Sequence, residues 1–360
     1  MTLEISESRF LKNRSRLLKR IYKNDPYYRS TENELVKLVL KKNGHFAKRS
    51  EQMMFTVSAE DKTPLVSVIF IIAEKYPSVL QVSFFEALPK QDEAVDVLFK
   101  KAIQIARIRG VKQIVIGLNG HVNYGLGFLA GPFNSSSCFG SCYSPPYYID
   151  YLKKFATKEH TLVSYTGDFY HDSLESDQRL IKNITKRFHF RTGNFKDLRR
   201  EIAIYTDLNN HCFASHPFYY ERSFEEDYEL FKSFGPFLKE ENFLIAEIQG
   251  RPVGFLLWYP DFHELIPPGK SIGVLTLLKY RLFHRPISRF KIVEIGVLPE
   301  YHGTGVIGGL INMCCQIAQK NHRIIETGWI LDTNMKSKSV ARRWIDHPYK
   351  TYKAFEINLE

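Results

Sequence analysis

The chain has 360 residues, 44% of them aliphatic or aromatic and 25% charged, a balance expected of a soluble globular protein and not of a disordered one. At about 150 residues per domain the length implies two domains, and no apolar run is long enough to cross a bilayer. The formal net charge of +11 attracts acidic partners, whether nucleic acid, anionic lipid or a polyphosphate cofactor, without choosing among them.

The opening Met1-Thr2-Leu3-Glu4 lacks the basic stretch and apolar run of a secretory leader, so the cytoplasm is the expected location. Cys138, Cys142, Cys212, Cys314 and Cys315 are odd in number and scattered, which in a reducing compartment predicts no disulfide framework. No second Cys or His pair stands at ligand spacing from Cys138 and Cys142, and no metal is expected.

Residues 53–58, 65–73 and 79–87 are rich in Val, Ile and Phe between polar turns and predict an antiparallel strand series. Residues 92–109 predict a helix from the spacing of Val95, Val97, Leu98, Ala102, Ile103 and Ala106, with Gly110 as the stop. A strand is expected at 112–118, a glycine-rich loop at 119–132 and a short helix opening at Pro145 and running to 155. The second half repeats the plan. Helices at 195–210 and 223–234 precede strands at 243–248, 253–259 and 290–298, then a glycine turn, a helix at 305–319, a strand at 324–331, a helix at 336–345 and a strand at 352–359. Two similar α+β domains in tandem are the simplest reading.

The richest local signal is Ile295-Gly296-Val297-Leu298-Pro299-Glu300-Tyr301-His302-Gly303-Thr304-Gly305-Val306-Ile307-Gly308-Gly309-Leu310. A strand ends, turns through glycines and enters a helix, so backbone N–H groups and the positive end of a helix dipole converge as an anion site. A Walker loop is excluded because no Gly-Lys-Ser/Thr follows. Gly303-x-Gly305-x-x-Gly308 also fits a dinucleotide fingerprint, with Glu326 near the ribose position, but four residues separate it from its strand and little chain remains for a second nucleotide-binding half. A turn whose glycines serve packing alone is the other alternative.

Val297-x-Pro299-x-x-x-Gly303-x-Gly305 after a long strand resembles motif A of the GNAT superfamily of N-acetyltransferases, whose loop amides hold the pyrophosphate of acetyl-CoA. Thr327-Gly328-Trp329-Ile330-Leu331-Asp332-Thr333-Asn334, then a helix and Lys350-x-Tyr352-Lys353, is similar to a subgroup with two such domains in tandem. Gly125-Leu126-x-x-Leu129 and Tyr143-Ser144-Pro145-Pro146-Tyr147-Tyr148 resemble that subgroup's N-terminal domain. The resemblance implies an α+β fold of two GNAT-like domains, each a mixed, mostly antiparallel sheet flanked by helices. The first, 1–188, is degenerate and walls an acceptor pocket between domains; the second, 189–360, binds acyl-CoA. It further implies acetyl-CoA or a longer acyl-CoA as donor, held by Val297, Leu298, His302, Gly303, Thr304, Gly305, Val306, Ile307 and Asn334, and an amine as acceptor. Three positions depart from the family: His302 replaces Gln or Arg, Ile307 replaces Gly or Ala, and Ala341 replaces the tyrosine many members use as general acid.

Acyl transfer from a thioester needs a neutral amine, and a base that removes its proton contributes roughly 10²–10⁴ in rate. Glu294, on the long strand before the turn where the family often places such a base, is the catalytic candidate; its other reading is an ordinary strand carboxylate. Glu326 and Asp332 are second choices, and a backbone N–H near Val297 would polarise the thioester oxygen. His121 and His216 either reach an acceptor or are structural, and a protonated His302 would donate to phosphate.

Residues 266–291 carry Lys270, Lys279, Arg281, Arg285, Arg289 and Lys291 without one Asp or Glu, interleaved with Ile272, Val274, Leu275, Leu277, Leu278, Leu282 and Phe283. Such a stretch either meets the inner membrane face peripherally or covers a long acyl chain, making the donor or acceptor lipidic, or is an insert with a solvated basic face. Nucleic acid is not an expected partner, because the basic residues are dispersed and no recognition signature appears. Ile307 and Ala341 also leave open a binding scaffold without catalysis.

Overall fold

Val, Ile and Phe crowd the segments that become strands, and each run of strands encloses one core of a computed structural model described for residues 2–8, 11–30, 32–168, 178–345 and 347–359. The first unit comprises Met1–Val163, Pro267–Ser271 and Lys350–Glu360; the second comprises Ser164–Ile266 and Ile272–Tyr349.

In the first unit, β1 (Leu3–Glu7), β2 (Ser50–Ala59), β3 (Pro64–Ala73) and β4 (Val79–Ala87) pair antiparallel in sequence, and β5 (Gln113–Ile116) lies parallel to β4. The helices are α1 (Lys12–Ile21), α2 (Glu32–Val39), α3 (His45–Lys48), α4 (Asp92–Ile108) and α5 (Tyr147–Lys153). A parallel pair requires a crossover, which α4 supplies. It buries Ala94, Val95, Leu98, Phe99, Ala102, Ile105 and Ala106, a helical stripe pressed on the sheet. Val97 and Ile103, expected in that stripe, are only half-buried. Inside the expected glycine loop the structure forms a short strand, β6 (Phe128–Gly131).

The second unit repeats the order. β8 (His189–Thr192), β9 (Phe243–Ile248), β10 (Arg251–Pro260) and β11 (Arg289–Val297) pair antiparallel, and β12 (Ile324–Thr327) lies parallel to β11. Its helices are α6 (Gln178–Arg187), α7 (Leu198–Phe213), α8 (Phe224–Phe234), α9 (Val274–Arg281), α10 (Val306–Ala318), which crosses from β11 to β12, and α11 (Met335–Trp344).

Each sheet is completed by a strand distant in sequence. The end of β7 (Lys158–Asp168) pairs antiparallel with β12 in the second unit, while β14 (His347–Asn358) pairs through Phe355 to Asn358 with β5 in the first. The units therefore divide at Val163 and Ser164, where the sequence suggests 188 and 189, and the C-terminal strand belongs to the first unit from Lys350 onward. Residues 169–177, within that expected first domain, lie outside the described residues. The expected strand 324–331 is also interrupted, into β12 and β13 (Ile330–Leu331), at Gly328 and Trp329. A Cβ on Gly328 would come within 2.6 Å of the Val293 carbonyl oxygen, so the chain turns where only glycine fits.

Candidate active site

The β11–β12 ladder runs from Arg289 opposite Ile324 to Ile292 opposite Thr327 and stops, while β11 continues to Val297. The Gly328 amide closes it on the Ile292 carbonyl at 2.6 Å. Beyond that point one edge of β11 has no ladder partner among the described residues. The Leu298 amide donates to the Val253 carbonyl on the β10 side at 2.9 Å, and strand alternation turns the N–H and C=O of Val297 to the opposite, open edge. An N–H donor thus faces a gap, as polarisation of a carbonyl oxygen requires.

The chain then makes a short turn at Pro299–Tyr301 and enters α10 through Gly305, whose φ of +90° is left-handed. A Cβ at Gly305 would also meet the Ile184 side chain of α6 at 2.6 Å, so glycine is required twice over. The first intrahelical bond of α10 runs from the Gly309 amide to the Gly305 carbonyl. The amides of Gly303, Gly305, Val306, Ile307 and Gly308 have no backbone acceptor among the described residues, a cluster of donors at a helix N-terminus of the kind that suits an anion. The Thr304 hydroxyl donates to the Tyr301 carbonyl at 2.7 Å and stiffens the turn. His302 is exposed, and its Nε2 donates to the Val297 carbonyl at 3.0 Å. That bond commits one ring nitrogen to the turn, leaving only Nδ1 to donate to an anion. Asn334 caps α11 by accepting the Ser337 amide at 3.1 Å.

Glu294 stands where β11 has just left β12. Register against β10 slips beside it, Glu294 facing Leu257 and Ile292 facing Trp258, a bulge of the kind that re-aims side chains near active sites. Tyr205 and Asn209, one turn apart on α7, both donate to Glu294 Oε2 at 2.8 Å. Gly296 lets α7 lie this close, because a Cβ there would reach Phe255 at 2.7 Å and Cys212 at 3.0 Å. Burial pushes the Glu294 carboxyl up to about 7, and the charge of Asp227 adds to the rise; the bonds from Tyr205 and Asn209 and the charge of Arg222 oppose it. Behind α7, Asp227 is itself paired with Arg222 at 2.6 Å and accepts the Thr206 hydroxyl at 2.8 Å. Glu294 thus has neutral hydrogen-bond donors and, among the described residues, no cation at ion-pair distance, and a carboxyl raised to about 7 is one that suits a general base.

The other candidates are held elsewhere. Glu326 is fully buried in an ion pair with Arg289 at 3.3 Å, and Asp332 pairs with Lys338. His121, buried in the first unit, accepts the Asn123 amide at 3.1 Å, and His216 accepts the Phe218 amide at 3.3 Å with its ring 5.9 Å from Trp329. Ala341 is buried on α11. Burial pushes the Cys212 thiol up to about 12, which excludes it as a nucleophile at neutral pH. Among the described residues no group of His, Cys, Asp and Glu could hold a metal.

Residues 203–344 match the sequence model of the acetyltransferase (GNAT) family. A bacterial ceramide synthase of Caulobacter vibrioides is 23% identical over 283 residues, 75% of this chain and 73% of that protein. Among solved structures, a tandem GNAT protein from the clavulanic acid biosynthesis pathway superimposes with a TM-score of 0.60 at 11% identity, covering 99% of this chain and 98% of its own. A GCN5-related N-acetyltransferase from Sphaerobacter thermophilus does so with a TM-score of 0.52 at 10% identity, covering 99% and 96%.

Proposed function

We propose that this chain, which belongs to the GNAT superfamily in its tandem-domain form, transfers an acyl group from a coenzyme A thioester to an amine in its second unit. The observation that carries the proposal is the position of Glu294, held by Tyr205 and Asn209 where β11 parts from β12, on the strand that leads into the turn with the unpaired amides.

A primary amine with a pKa of about 10 arrives as ammonium. Glu294 accepts its proton, the freed lone pair attacks the thioester carbon, and the Val297 N–H takes the oxygen as it gains charge. When the C–S bond breaks the sulfur departs as thiolate; the acylated nitrogen releases its second proton to water, and the thiolate takes a proton from water, since Ala341 offers none. The amides of Gly303, Gly305, Val306, Ile307 and Gly308 would hold the diphosphate. The acyl-transfer class rests on family and fold; the donor and acceptor are the finer proposal. A lipid amine is the favoured acceptor, because the relative from Caulobacter vibrioides is named for a reaction that makes a lipid amide.

Calorimetric titration with acetyl-CoA and palmitoyl-CoA tests the donor site. Gly308→Asp is the companion variant, because nothing lies within 4 Å of a Cβ there and a carboxylate in the first turn favours the helix while repelling a phosphate. Binding by the unaltered protein that weakens at least tenfold in a normally folded Gly308→Asp supports the donor site. Absence of binding to either ester would leave a scaffold without catalysis as the reading.

A further inference from the structure

Nine large apolar side chains are exposed among the described residues, and five of them fall within ten positions of one another: Val274, Leu275, Leu278, Leu282 and Phe283, each 40% to 75% exposed. Scattered singly such residues need no explanation; gathered, they mark a contact surface.

The segment is anchored, so the exposure is not that of a loose end. Thr276 is buried, Tyr280 packs edge-on against Phe262 at 5.1 Å, Lys279 donates to the Leu265 carbonyl at 3.1 Å, and Arg281 donates to the carbonyls of Pro236 and Leu238 at 3.0 and 2.6 Å. At helical spacing Thr276 and Tyr280 face inward while Val274, Leu275, Leu278 and Leu282 share the opposite side, with Phe283 following. Arg281, Leu282, Phe283, His284, Arg285 and Pro286 are all exposed. No Asp or Glu occurs from Leu265 through Val293; Glu240 and Glu241 line the groove beside Arg281 with Lys239, and Glu264 is committed to the amides of Ser288 and Arg289.

We propose that α9 and the turn after it dock on an anionic lipid bilayer, with the aliphatic side chains and Phe283 entering the headgroup boundary and Arg285 meeting lipid phosphates. A helix with an apolar face and a basic margin lies in that boundary, and long basic side chains keep their charge at the headgroups while their stems follow the apolar side chains. A symmetric second copy fits less well, since a two-fold contact brings the same basic margin of both chains into one interface. Nucleic acid would meet five apolar side chains at the centre of its contact. The proposal stands on this surface alone and does not depend on the reaction above.

The test is flotation of the full chain, without any acyl-CoA, with phosphatidylcholine vesicles and with vesicles of phosphatidylcholine and phosphatidylglycerol. Binding to the anionic vesicles is expected to be at least about tenfold tighter than to the neutral ones and to weaken with salt. Leu282→Glu/Phe283→Glu, two exposed positions, is expected to abolish it with the fold intact by circular dichroism, and Arg285→Glu to weaken it about tenfold. Equal flotation of the unaltered chain and the double variant overturns the proposal, as does no flotation of either. So does a light-scattering mass of two chains that falls to one in the double variant without vesicle binding, which assigns the patch to self-association.

Discussion

Both units carry a glutamate on the strand that precedes the crossover helix, buried in the first and half-buried in the second, and they treat it in opposite ways. In the first, Glu86 near the end of β4 lies 3.5 Å from the Arg14 guanidinium and accepts the hydroxyls of Tyr22 at 3.1 Å and Tyr148 at 2.7 Å. The cavity beside it, lined among others by Glu32, Tyr143 and Ser144, is about 10 Å³, room for one water. Its strand runs through Pro89 into α4 with no glycine turn. In the second, Glu294 has two neutral donors, an open strand edge and a glycine turn after it. A carboxylate closed in by a cation and phenols serves the core; one that is desolvated but not neutralised can take a proton.

Substitutions in both units test the contrast, in decreasing order of expected effect. Glu294→Gln keeps the shape and both hydrogen-bonding neighbours while removing the base, so acyl transfer falls about 10²- to 10⁴-fold with acyl-CoA affinity unchanged by calorimetry. The same change at Glu86 leaves turnover intact. Arg14→Met leaves Glu86 buried without its cation, and denaturant unfolding should show a loss of about 3–5 kcal/mol, part of it recovered in Arg14→Met/Glu86→Gln. Tyr205→Phe removes a bond that holds the Glu294 carboxyl down, so the acid limb of kcat/KM moves up by about one pH unit. A limb that stays in place would detach Tyr205 from the base.

The pH dependence of stability separates the base from an ordinary strand carboxylate as well. The folded Glu294 carboxyl lies at about 7 against an ordinary value of 4.5, so folding favours its protonated form. That contribution is present below the unfolded value and is lost as pH rises through 7. Glu294→Gln should therefore gain in melting temperature relative to the unaltered chain at pH 8 and not at pH 4.

The glycine turn was legible in the sequence because its geometry is local: a strand end, glycines with left-handed backbone and a helix start are consecutive. The position of Glu294 on the strand before that turn was equally legible. Its partners were not, since Tyr205 and Asn209 lie 89 and 85 residues away and read as ordinary residues of an amphipathic helix; their four-residue spacing becomes a signal only once the strand they cover is known. The exchanged strands were equally invisible, because β7 and β14 have the composition of any edge or central strand and nothing local names the partner. Residues 266–291 were read correctly as basic and apolar, but which apolar residues face outward depends on Phe262, Leu265, Pro236 and Leu238, the groups that anchor α9.

The most direct measurement is the pH dependence of kcat/KM for coenzyme A release from palmitoyl-CoA in the presence of a long-chain primary amine, for the unaltered chain and Glu294→Gln. The account predicts amine-dependent release with an acid limb at about 7 that disappears, with most of the rate, in the variant. Release that the amine does not stimulate, or a variant that keeps the full rate and the same limb, would contradict it.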